Sequence, residues 1–394
     1  MWPFTPKWKS RNPDKRIQAI KKLNLHDPAH DKILIKVVKN DNNFFVQIAA
    51  VNKLTDQIVL VGIAKFNRDR SLRRAAVEKL TDQNILADIA KNDHESVVRC
   101  EAVKKLTDQN ALSDLAKNDN ESIVRRMAVN KLTNQSVLEE IAKNDSESEV
   151  RSEAVKKLTD QNALSDVAKN DNESSIRSVA VNKLTDQSVL EEIAKNDNKS
   201  EVRCEAVKKL TNQNALTDIA KNDKVHEVRL ASVNKLTDQN VLADIVKNNN
   251  SVRGSALVKL TDQNILSDIA KNHLYSSEFE IVLKKLTDQN ILNDIAQNAR
   301  DTQIQFSASL KLTDLSRRTD NLIRLFELRT RSYDKHLIVD QLKILFMQNI
   351  LSSSDKAKIL QLNGKLLVIE HEDYYSNPPC GNSHIDTQPE YFNL

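Results

Sequence analysis

The chain has 394 residues and a net charge of +4, with 59 Lys and Arg against 55 Asp and Glu. So even a balance carries no electrostatic signature of a nucleic-acid or membrane-surface partner. Only 4 glycines occur, no proline lies between Pro28 and Pro378, and no 18-residue apolar run is present, which excludes a turn-rich β fold and a membrane-crossing helix.

The opening stretch, MWPFTPKWKSRNPDKR, has neither an apolar segment of signal-peptide length nor a small-residue cleavage site, so a cytoplasmic protein is expected. Residues 1–30 are expected to cap the array that follows, with Trp2, Phe4 and Trp8 beside a first helix over Lys15–Leu23.

Residues 31–313 are periodic. The phrase Leu-Thr-Asp/Asn-Gln begins at Leu54, Leu80, Leu106, Leu132, Leu158, Leu184, Leu210 and Leu236, always 26 residues apart. After one step of 24 it continues at Leu260 and Leu286, with a looser copy at Leu312. Such a period denotes about eleven stacked units, each touching only its neighbours.

Within one unit, Leu112, Leu115 and Ala116 follow helical spacing, and Val124, Ala128, Val129 and Leu132 form a second stripe, which predicts two short helices. Asp108 stands where an N-cap is needed, replaced in other copies only by Asn134 and Asn212. Lys117-Asn118-Asp119 is read as a helix end, with Asn118 in the left-handed conformation and Asp119 capping the second helix. No aromatic residue occurs between Phe66 and Tyr275, so aliphatic side chains must fill the core there. Cys100 and Cys204 share a slot four units apart, tens of ångströms at roughly 8–10 Å per layer, too far to pair within one chain.

One column of arginines, Arg73, Arg99, Arg125, Arg151, Arg177, Arg203, Arg229 and Arg253, fills eight consecutive copies. Stacked guanidiniums could follow a phosphate backbone. On a helix of 3.6 residues per turn, however, Arg99 falls roughly 100° from Val98, inside the apolar stripe. A charge there needs a partner, and Asp93, with its equivalents Asp119, Asp145, Asp171, Asp197 and Asp223, recurs six residues earlier. A structural Arg–Asp ladder joining adjacent units is the expected arrangement.

The motif Asp93, Val98, Arg99, Ala102, Val103, Leu106 resembles the HEAT-like repeat families, and the short unit is similar to the leucine-rich repeat variant class. The resemblance covers roughly residues 12–313. It implies an all-α fold, a right-handed α-solenoid of two-helix repeats used to bind other macromolecules, with the second helices lining a concave face. The short period leaves room for a first helix that is partly 3-10.

On that face the central column reads Lys104, Asn130, Lys156, Asn182, Lys208, Asn234, and beside the lysines stand Glu101, Glu153 and Glu205. These, together with the slots of Val97 and Cys100 on the same exposed face, are the candidate partner contacts. Because each Lys has its own Glu, the face lacks the continuous basic stripe of a nucleic-acid groove. The alternation also exposes a 52-residue superunit, residues 101–152 and 153–204, the mark of tandem duplication.

The pattern breaks over Lys247–Leu286, where the unit loses two residues, Gly254 enters the second helix, and Phe279 replaces the ladder arginine. A kink carrying a partner-binding patch with Tyr275 and Phe279 is expected there. Helices near Asp320–Thr330, Lys335–Asn349 and Asp355–Leu362 should cap the end (314–363), followed by an acidic, flexible tail (364–394). The tail's His371, Asp373, Cys380, His384 and Asp386 match no standard metal-site spacing, and no metal or cofactor is expected. His94-Glu95 and His226-Glu227 lie 132 residues apart, not a multiple of 26, so they cannot form a symmetric di-metal site. No nucleophile–base pair or phosphate loop is present either. The sequence therefore reads as a non-catalytic scaffold for a protein partner. The alternative is a nucleic-acid binder of the HEAT-like glycosylase kind.

Overall fold

The computed structural model describes residues 7–23, 28–248, 251–274, 276–328, 332–347 and 351–362. Among them the chain forms 26 α-helices and one 3-10 turn, with no strand. Each full repeat has a leading and a trailing α-helix of ten residues, such as Gln109–Asn118 and Ser122–Lys131. The leading helix is α throughout, without the 3-10 portion that the short period allowed.

The repeated phrase is the turn between units. Leu106 ends the trailing helix in an extended conformation (φ −69°, ψ 137°), its N–H bonding back to the carbonyls of Ala102 and Val103 while its side chain is fully buried. Thr107 follows, and Asp108 caps the next helix, its carboxylate accepting from the N–H groups of Asn110 and Ala111. No residue of this turn needs a positive φ, which is why the array dispenses with glycine.

At the other turn the residues act differently from the sequence reading. Asn118 is the last helical residue and never enters the left-handed region; its amide reaches back 2.8 Å to Asp114. Asp119 does not cap the trailing helix, whose N-cap is Glu121 without a side-chain bond. Its carboxylate accepts from the N–H of Glu121 at 2.9 Å and is otherwise committed to an arginine.

Trailing helices pack on their own leading helix and, within each unit described below, on the trailing helix of the next repeat. Val124, Ala128, Val129 and Leu132 from one helix and Leu112, Leu115 and Ala116 from the other are buried and interlock. Seven such small side chains cannot close a core alone, so neighbouring layers complete it.

The chain divides into two compact units, Met1–Asn212 and Gln213–Leu394, the division falling inside the periodic region. The first begins with a helix over Pro13–Lys21, capped by Asn12 with Pro13 at its first position. The second ends with helices Leu315–Glu327, Ser332–Met347 and Ser353–Gln361. Leu322, Phe326, Leu342 and Ile359 share one core there. The first of these helices starts five residues earlier than the sequence reading because Asp314 caps it.

Candidate interaction surface

Within each unit, four sets of polar contacts tie successive repeats together and determine which side chains remain available to a partner. The deepest is made by the arginines. Arg99 directs Nε and Nη2 at the two carboxylate oxygens of Asp119, both at 2.8 Å, and Nη1 at the backbone oxygen of Asp93 at 2.9 Å. The same fork joins Arg73 to Asp93, Arg125 to Asp145, Arg151 to Asp171 and Arg177 to Asp197. Arg73 is 1% exposed. The carboxylate bond raises the pKa of Arg99, Arg125, Arg151 and Arg177, against burial, which lowers it. Arg203 is buried and donates to the backbone oxygen of Asp197 at 2.9 Å. An earlier rung, not read from the sequence, joins Arg16 to Asp41 at 2.8 Å.

Where the arginine is replaced, so is the carboxylate: Gln47 precedes Asn67, and Phe279 precedes Ala299, in the same pair of slots. Two positions break this matching. Arg229 donates to the oxygen of Asp223 and to Ser251 Oγ, both at 2.6 Å. Arg253 finds His273 in the carboxylate slot and instead grips Glu278 at 2.9 and 3.1 Å, together with the backbone oxygens of Val246 and His273.

Three further ladders were missed in the sequence reading. The Gln of the repeated phrase joins consecutive turns: Gln109 Oε1 accepts from Thr133 N–H and Oγ1, both at 3.0 Å, while its amide donates to the oxygen of Lys131 at 3.3 Å. The Lys before each Leu reaches back to the last carbonyls of the preceding trailing helix, as Lys79 does to Asn52 and Lys131 to Val103 and Lys104. There it offsets the negative helix end. Between leading helices, Lys65 pairs with Asp88, Lys91 with Asp114, Lys143 with Asp166 and Lys271 with Asp294. The lysine, helped by an Asn on the same helix, holds each of these carboxyls below the usual range.

What remains exposed lies mainly on the trailing helices. Lys104, Asn130, Lys156, Asn182, Lys208 and Asn234 are exposed, and Glu101, Glu153 and Glu205 are half-buried beside them. Lys104 pairs with Glu101 at 3.0 Å, Lys156 with Glu153 at 3.4 Å and Lys208 with Glu205 at 2.6 Å. Asn130 donates to Glu153 at 2.8 Å. Burial raises the pKa of the neighbouring Cys100 thiol. The column of Val97 stands out: Phe45, Val97 and Ile123 occupy one slot at 69%, 44% and 40% exposure. Ser71 stands between Phe45 and Val97, and further along that slot carries Glu149, Ser175, Glu201 and Glu227, all exposed.

At the break, Phe279 is 1% exposed, its ring filling the space of the missing arginine, so it cannot meet a partner from where it sits. Tyr275 and the tail with His371, Asp373, Cys380, His384 and Asp386 lie outside the described residues. Among the described residues no group of three or more His, Cys, Asp or Glu is placed to hold a metal, and no helix is long and apolar enough to cross a membrane.

No family model matches the chain, and no curated protein does. Among solved structures it is similar to the S. pombe condensin Cnd3-Cnd2 subcomplex, at 16% identity and a TM-score of 0.30, over 93% of this chain and 63% of that one. It is similar also to importin beta, at 12% identity and a TM-score of 0.30, over 95% and 62% of the two chains. With the UNC-45 chaperone the identity is 13% and the TM-score 0.18, over 91% and 46%. The chain thus spans less than two thirds of the length of each. The present chain is an all-α array of two-helix repeats of about 26 residues, on the strength of its own helices and the contacts between them.

Proposed function

We propose that the chain is a cytoplasmic, non-catalytic scaffold that holds a protein partner along the exposed face of its trailing helices. The supporting observation is the slot of Phe45, Val97 and Ile123, where apolar side chains stand in solvent and give way to glutamates in later repeats. An apolar and acidic strip suits a protein surface bearing apolar and basic groups. It repels a phosphate backbone, and the arginines that could offset it are forked onto buried carboxylates. Lys104, Lys156 and Lys208, each beside its Glu, would form the polar rim of such an interface. Cys100 is a free thiol, in keeping with a reducing compartment.

The test is a cross-linking pull-down with the wild-type chain and with Val97→Glu/Ile123→Glu. The expected result is a specific protein whose recovery falls at least several-fold in the variant while its helical circular dichroism is unchanged. Equal recovery would overturn the assignment of this face. A steeply salt-dependent shift of duplex or single-stranded DNA would favour the nucleic-acid alternative.

A further inference from the structure

The repeat break holds an open pocket of about 470 Å³ whose lining is unlike that of the regular junctions of the same chain. Its charged lining is Lys247, Arg253, Lys271 and Arg300 with the single carboxylate of Asp301, and His273 joins them. In a regular junction the corresponding slots hold Lys117, Arg125, Lys143, Asp145 and Glu173, three cations to two carboxylates. The difference comes from two replacements: His273 stands in the slot of Asp145, and Arg300 in the slot of Asn172.

Existing contacts leave part of this charge unspent. Arg253 is neutralised by Glu278, and Asp301 is occupied in capping, accepting from Gln303 and Ile304 N–H at 2.8 and 3.2 Å. With Glu278, Asp268 and Asp294 counted, the four cations meet four carboxylates, and the charge left without a bridge is that of Arg300. Lys247 and Lys271 pair with Asp268 and Asp294 at 2.7 and 2.6 Å, but these bridges are part-exposed and inexpensive to exchange. No side-chain hydrogen bond or ion pair is made by the Arg300 guanidinium among the described residues, and the His273 ring acts only at a distance on Asp268, while the Arg300 backbone is fixed by an N–H bond to the oxygen of Lys271 at 3.1 Å. The site therefore offers a planar bidentate donor, two ammonium groups and an imidazole around a space large enough for a phosphorylated side chain.

We infer that this pocket binds a phosphate monoester dianion, with Arg300 as the bidentate contact and Lys247, Lys271 and His273 closing around the remaining oxygens. The inference does not depend on the scaffold reading, since a free phosphate would occupy the same donors as a phosphorylated residue of a partner.

Isothermal titration of the full chain with inorganic phosphate and with a phosphoserine peptide tests it. The expected result is saturable binding of at least one, weakened about ten-fold or more by Arg300→Asn and by His273→Asp, which restore the residues of the regular junction. Lys143→Asn, at a regular junction, should leave binding unchanged. Tighter binding of the peptide would identify a modified protein as the source, and tighter binding of inorganic phosphate a free anion. The inference is overturned if neither ligand saturates at concentrations up to about 10 mM, well above the ~1 mM that corresponds to only weak binding. It is overturned equally if the Arg300→Asn variant, with unchanged helicity and melting, binds as the parent does.

Discussion

Replacing Asp119 by Ala should be among the most damaging single changes in the array. Arg99 is buried, and two of its three hydrogen bonds, both 2.8 Å, end on that carboxylate. Without it the guanidinium keeps only the Asp93 oxygen at 2.9 Å, and the N–H of Glu121 loses its acceptor. Stripping one partner from a buried pair costs about 3–5 kcal/mol, and the lost turn bond adds about 1 kcal/mol. At the same junction, Lys91→Ala removes a bridge whose side chains are 63% and 42% exposed, at a cost of about 0–1 kcal/mol. Because repeat arrays need not unfold in one step, native-state hydrogen exchange of the amides in 96–131 is the appropriate assay. The double variant Arg99→Met/Asp119→Ala should recover most of the loss, since no charge is then left buried. If Asp119→Ala costs less than about 1 kcal/mol, or if Arg99→Met brings no relief, the ladder is not the structural tie described here.

Gln109→Ala should destabilise the junction between the turns at Thr107 and Thr133 by about 1–2 kcal/mol, read by exchange of the Thr133 amide, which loses its acceptor. Unchanged protection of that amide would contradict the role given to the repeated Gln. Gly62→Ala, within the helix Gln57–Phe66, should stabilise by about 0.5–1 kcal/mol, because an added Cβ meets nothing within 4 Å; a lower melting temperature would refute this. Asp88, Asp114, Asp166, Asp244, Asp268 and Asp294 have carboxyls lowered by their lysines, so their contribution is complete above the unfolded value near 3.9 and is lost as pH falls through the lower folded values. Urea midpoints should therefore fall progressively as the pH drops below about 4, and a flat profile there would refute the assignment.

Much of the repeat was legible because helix spacing and capping are local. The stripe of Val124, Ala128, Val129 and Leu132 and the cap Asp108 follow from single units. The ladder was harder for a reason of arithmetic. Asp93 lies six residues before Arg99 and Asp119 lies 20 after, and in a 26-residue period these are the same column. Periodicity can assign the columns but not which copy pairs with which; the fork goes to the following repeat, while the preceding Asp lends only its backbone oxygen. The repeated Gln and Lys were unread because recent duplication preserves every residue alike, so invariance says nothing of contact. Phe279 was taken for a surface residue because aromatic side chains suit interfaces, yet the slot it inherited lies in the core.

From Arg73 to Asp197 each repeat presents a guanidinium to the copy after it and a carboxylate to the copy before it. A tile with a donor on one edge and an acceptor on the other can be copied in register any number of times without leaving an interior charge alone. Copy number is then free to drift during evolution at little energetic cost, and only the two ends need special treatment. The ends are not equivalent. Shortening from the C-terminal side strands a buried arginine, whereas shortening from the N-terminal side strands an aspartate that can turn toward water. Cut back within its laddered stretch, the array should tolerate loss of preceding copies better than loss of following ones.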